Sequence, residues 1–212
     1  MIEVYLELGK KRVFACALDW PGWCRAGRTE EQALDALRGA AVRYVSVVDE
    51  AGLTLPPVEL EVVERLPGSA TTDFGAPGAI PERDSLPLEP AEAGRIASLV
   101  LAAWVIFVGV VVGAPTERRK GPRGGGRDRD QIVEHVLGAD TAYARQLGLR
   151  LPQPSLGDAA AIGAFRAAIL DALQAPPDGA RWPPRYAGRR IAWHALDHAW
   201  EIEDRSDLTE SR

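Results

Sequence analysis

Methionine occurs once in this chain of 212 residues, cysteine twice (Cys16, Cys24) and histidine three times (His135, His194, His198). Two cysteines are too few for a disulfide framework or a thiolate zinc knuckle, so a reducing cytoplasm is the expected setting. An excess of positive charge is also missing. The 25 Lys and Arg are outnumbered by 30 Asp and Glu, for a net charge of -5. That balance excludes a surface built as a whole to displace counterions from nucleic acid, and no nucleic-acid partner is expected. With 46 % apolar and 26 % charged residues, a disordered tail protein is excluded too. The N-terminus carries Glu3 and Glu7, and it lacks the apolar stretch and small-residue cleavage site of a signal peptide.

What is present falls into two unlike halves. Val4, Leu6 and Leu8 alternate with Glu3, Tyr5 and Glu7, the pattern of a half-buried strand, and residues 9–12 can turn the chain into a second strand over Val13 to Leu18. Thr29 before Gln32 reads as a capping box. The helix after it buries Ala33, Leu34, Leu37, Ala41, Tyr44, Val45 and Val48 at three- and four-residue spacing and stops at Gly52. A third strand is expected over Val58 to Val63, so residues 1–65 read as a small ββαβ unit. From Leu66 to Pro90 prolines and glycines alternate with no apolar period, which marks a linker over residues 66–90 draped on the surface.

Beyond the linker the pattern is helical, with four helices expected at Ala91 to Ala114, Arg129 to Leu147, Asp158 to Leu173 and Gly188 to Asp204. Together they suggest an all-α up-down four-helix bundle over residues 91–205, followed by a short tail, 206–212. The fold class expected for the whole chain is therefore α+β followed by all-α. One feature competes with that reading. Ile96 to Thr116 is a run of 21 residues without a charge, about 31 Å as a helix and long enough to cross a bilayer. A bundle needs this helix to close its core, so a buried or dimer-facing helix in a homo-oligomer is the preferred reading, and a membrane-tethered protein is the alternative. Between Glu117 and Asp130 six basic residues (Arg118, Arg119, Lys120, Arg123, Arg127, Arg129) stand against three acidic ones. They read as a solvated loop, or as a site for an anionic group.

The histidines cluster. His194 and His198 leave one helix face about a turn apart, and His135 sits inside another helix of the same bundle. If the two helices face each other, three imidazoles bind one divalent ion and leave a coordination position open, as catalytic rather than structural sites do. Three imidazoles suit zinc, nickel, iron and copper alike, and zinc, nickel or iron is the expected ion. Asp197 and Glu201 are placed to orient an imidazole from behind. The segments 130–137 (DQIVEHVL) and 193–201 (WHALDHAWE) resemble the DinB/YfiT-like superfamily of four-helix bundles over roughly residues 88–205. In that family a histidine on the second helix and an H-x-x-x-H pair on the fourth form a metal triad, and His135, His194 and His198 fall at the matching positions. The resemblance implies a metal-dependent transferase or isomerase that uses a low-molecular-weight thiol, acting on a small-molecule electrophile.

The N-terminal stretch Trp20-Pro21-Gly22-Trp23-Cys24, with Gly27-Arg28-Thr29-Glu30-Glu31-Gln32-Ala33-Leu34, is similar to HicB-like domains over about residues 1–65. That likeness implies a protein partner for this domain, so the alternative function is a non-catalytic regulatory or antitoxin-like binding module. Cys24 reads as a packing residue.

Overall fold

The alternating first residues form β1 (Ile2–Leu8), and the turn after it returns the chain as β2 (Val13–Ala17), antiparallel with Val4 opposite Ala17. These elements belong to a computed structural model that describes residues 1–114 and 129–206. A third strand, β3 (Cys24–Gly27), pairs antiparallel with β2, and β4 (Leu60–Pro67) lies parallel to β1. The sheet order is β3-β2-β1-β4. The fold is thus α+β, a mixed four-stranded sheet near the N-terminus followed by a helical region. The ββαβ expectation misses β3, whose four residues include an arginine and a glycine and carry no apolar alternation.

Thr29 caps α1 (Glu30–Gly39) by accepting from the Gln32 amide at 3.2 Å. Where one continuous helix is expected, the chain breaks at Ala40 and resumes as α2 (Ala41–Glu50). The cause is tertiary. The buried Trp23 indole donates to the Leu37 carbonyl at 2.9 Å, the acceptor that a continuous helix would offer to the Ala41 amide. Val4, Leu6, Ala15 and Ala17 on one face of the sheet join Ala33, Leu37 and Tyr44 in the main core.

The other sheet face is not left to water. Tyr5, Phe14, Cys16 and Cys24 pack there against Trp193 from the last helix, with the Phe14 and Trp193 rings edge-on at 6.1 Å. Cys16 and Cys24 stand opposite each other across β2 and β3, Cα atoms 4.1 Å apart, and are joined as a disulfide. Cys24 therefore does more than pack, which the low cysteine count had not suggested. Residues 66–90 are also more ordered than a draped linker. They form α3 (Ala70–Phe74) and a 3-10 turn at Glu82–Ser85. Buried Glu7 of β1 accepts from the Thr72 hydroxyl and from the amides of Gly78 (2.8 Å) and Ala79 (2.9 Å), since a buried carboxylate must be hydrogen-bonded to be tolerated.

Four long helices follow: α4 (Pro90–Gly113), α5 (Arg129–Gln146), α6 (Ala159–Gln174) and α7 (Pro184–Ser206). Helix α7 packs on α4, α5 and α6. It also clamps the preceding segment. Arg185 grips Glu92 with two parallel hydrogen bonds (2.6 and 2.8 Å) and the carbonyls of Leu86 and Pro87, while buried Arg189 pairs with buried Asp84. Helix α4 is the one described helix long and apolar enough to cross a membrane, and 44 % of its most apolar window is buried inside the protein. Leu99, Val100, Ala103, Trp104 and Phe107 are in the core, whereas Leu101, Val105, Val108 and Val112 are exposed. The basic stretch Arg118 to Arg127 and the residues after Ser206 lie outside the described residues.

At Gly188 helix α7 runs tight against α4, since a Cβ placed on it would lie 2.4 Å from Ile96 Cγ2. Overpacking there costs about 1–3 kcal/mol, and alanine's better helix propensity returns at most about 1. Gly188→Ala is therefore expected to lower the urea midpoint, and an unchanged midpoint would refute the tight crossing.

Candidate metal centre

Helix α5 contributes His135, and α7 contributes His194 and His198 one turn apart. The packing of α5 on α7 brings all three together. Ring centroids lie 5.0 Å apart for His135 and His194, 5.0 Å for His135 and His198, and 4.7 Å for His194 and His198. One nitrogen from each ring lies within 4.8 Å of the others, and these three residues could hold a metal ion. His194 is buried, and the other two are partly buried.

The donor spacing tests the fit. Two nitrogens bound tetrahedrally at 2.0–2.1 Å stand about 3.3–3.4 Å apart, and His135 Nε2 lies 3.2 Å from His194 Nε2. A hydrogen bond between neutral rings accounts for that distance in one pair. It does not account for the third ring converging on the same point. His198 is turned by a carboxylate: its Nδ1 is 2.9 Å from Glu201 Oε2, and the other Glu201 oxygen is 2.9 Å from Arg205. That contact leaves Nε2 of His198 as the nitrogen free to ligate, an arrangement in which an outer carboxylate fixes tautomer and ring angle.

Of the two carboxylates marked in the sequence for this role, only Glu201 takes it. Asp197 turns instead to Arg25 on β3, 3.3 Å away, and Arg25 lies over the Trp200 ring at 3.8 Å. Burial raises the Asp197 carboxyl, and Arg25 opposes that. Glu201→Gln keeps the size and removes the charge. It is expected to weaken metal affinity about 10–100-fold, read by competition with a chromophoric chelator. Asp197→Asn serves as the control with little effect.

Three side chains that the sequence reading passed over lie beside the histidines. The Tyr143 ring stands edge-on to His194 at 5.8 Å, Trp182 lies 5.3 Å from Tyr143, and the Arg190 guanidinium lies 5.7 Å from the Tyr143 ring and 5.0 Å from that of Trp193. Arg190 precedes His194 by four residues, so helical spacing alone would have found it. Tyr143 follows His135 by about two turns. Burial pushes the Tyr143 phenol up, with Arg190 opposing.

Deeper in the same helix, Asp140 is completely buried, 3.8 Å from Arg166 of α6, whose guanidinium lies 4.9 Å from the Trp104 ring. Burial pushes the Asp140 carboxyl up to about 7, against the pull of Arg166. Compared with known proteins, the chain matches no family model, no curated protein and no solved structure.

Proposed function

We propose that this chain is a divalent-metal protein of the DinB-like four-helix-bundle kind, in which His135, His194 and His198 hold zinc, nickel or iron. The observation that supports it is the convergence of three imidazoles from two helices, with the closest nitrogens at the spacing that one ion requires. An ion held by neutral imidazoles supplies an open coordination position and a positive charge that favours the deprotonated form of a bound thiol or water.

The protein groups would each do a part. Glu201 keeps His198 in the ligating tautomer, and the packing of α5 on α7 sets the distance from His135. Tyr143 packs edge-on to His194, and Trp182 packs on Tyr143; aromatic surface beside the centre suits a small organic ligand. The activity that fits is transfer or isomerisation with a low-molecular-weight thiol as co-substrate and a small electrophile as acceptor. Elemental analysis of the purified full-length protein tests the metal, and a thiol-transfer screen with the loaded protein tests the chemistry. Protein that takes up no stoichiometric divalent ion would overturn the proposal.

A further inference from the structure

Helix α7 carries four arginines, and three of them reach a carboxylate: Arg185 with Glu92, Arg189 with Asp84 and Arg205 with Glu201. Arg190 does not. Among the described residues it has no carboxylate partner. Its polar contacts are with neutral oxygens, the Pro77 carbonyl, which accepts from Nη1 at 2.5 Å, and the Tyr143 phenol, and the Tyr143 and Trp193 rings lie beside it. It is only half-exposed. A guanidinium carries five donors in a fixed fork matched to a carboxylate, so a partly buried one that meets only neutral oxygens has donors and a charge left unmatched.

Its position gives that capacity a meaning. Arg190, His194 and His198 follow one another at four-residue spacing on one helix face, which puts Arg190 about 6 Å along the axis from His194. Tyr143 stands between them, its ring 5.8 Å from His194 and 5.7 Å from the Arg190 guanidinium. We propose that Arg190 is the anion anchor of the histidine centre: it holds the carboxylate of a small ligand whose other end reaches the three imidazoles. The inference rests on the metal reading of the triad. It narrows the ligand to a short carboxylate-bearing molecule, recognised by a two-point grip with the Tyr143 and Trp182 rings along its length.

The test uses the full-length protein loaded with Co(II), whose sulfur-to-metal absorption reports thiol binding without any turnover. The probes are 3-mercaptopropionate and its methyl ester, which share a thiol and differ in charge. Wild-type protein is expected to bind the acid at least about tenfold more tightly than the ester, the worth of a charge-assisted hydrogen bond. Arg190→Gln removes that preference by weakening the acid alone, and Arg190→Lys keeps part of it. Equal affinity of wild type for acid and ester overturns the anchor while leaving the metal centre standing. Wild-type protein that takes up no Co(II) overturns the metal reading, and the anchor with it.

Discussion

His194→Ala is expected to reduce the metal content of the purified protein from stoichiometric to trace levels, and His135→Ala and His198→Ala are expected to do the same. The three nitrogens converge within 4.8 Å from two different helices, so removing any one leaves two donors and a solvent-filled gap. The effect extends to stability. A ligand that binds only the folded chain stabilises it by about 4 kcal/mol at a free concentration 1,000-fold above its Kd. For a chain of this size that corresponds to a rise in melting temperature of about 10 °C. Wild-type protein should show that rise on addition of the bound ion, and the His194→Ala protein should show none. A rise of equal size in both would mean that the ion acts elsewhere on the molecule.

The second large effect concerns Asp140. Its carboxyl is raised to about 7 by burial, so between the ordinary carboxylate range and pH 7 the folded state holds a proton that the unfolded state has released. Stability therefore falls as pH rises through that window. The favourable contribution is complete below the unfolded value near 4 and gone above about 7, and it amounts to about 4 kcal/mol between the two ends. Asparagine mimics the protonated acid and cannot ionise. Asp140→Asn is expected to match wild type at pH 4 and to exceed it by a margin that grows up to about pH 7 and is constant above it, in urea titrations at each pH. Parallel curves for the two proteins would show that Asp140 keeps its charge in the folded state.

Much of the local structure was legible in the sequence. The period-two alternation before Gly9 yields the β1–β2 pair, the Thr29 cap starts α1 at its expected place, and both ends of α4 and α6 and the C-terminal end of α5 fall within a residue of their expected positions. The histidine cluster was legible too, because its scarcity and its four-residue spacing survive without coordinates. What escaped was set by contacts distant in sequence. The break at Ala40 depends on Trp23 taking the Leu37 carbonyl. Tyr5 and Glu7 alternate like solvent-facing residues and are nonetheless buried, because Trp193 and the turn at Gly78 cover that face. Helical spacing puts Arg190 one turn before His194, but that it meets no carboxylate, unlike Arg185 and Arg189, showed only in the structure.

The same helix that presents two of the three histidines also carries Trp193 into the sheet's second face and sends Arg185 and Arg189 into the segment before α4. A fragment without residues 1–65 would have to hydrate the Trp193 indole and would lose the Leu18 carbonyl, which accepts from Arg189 at 3.3 Å. The rotational setting of α7, and with it the aim of His194 and His198, is thus fixed partly by strands that contribute no ligand. A change in the sheet would therefore reach the histidines through the setting of α7, which makes the N-terminal region part of the frame that aims them.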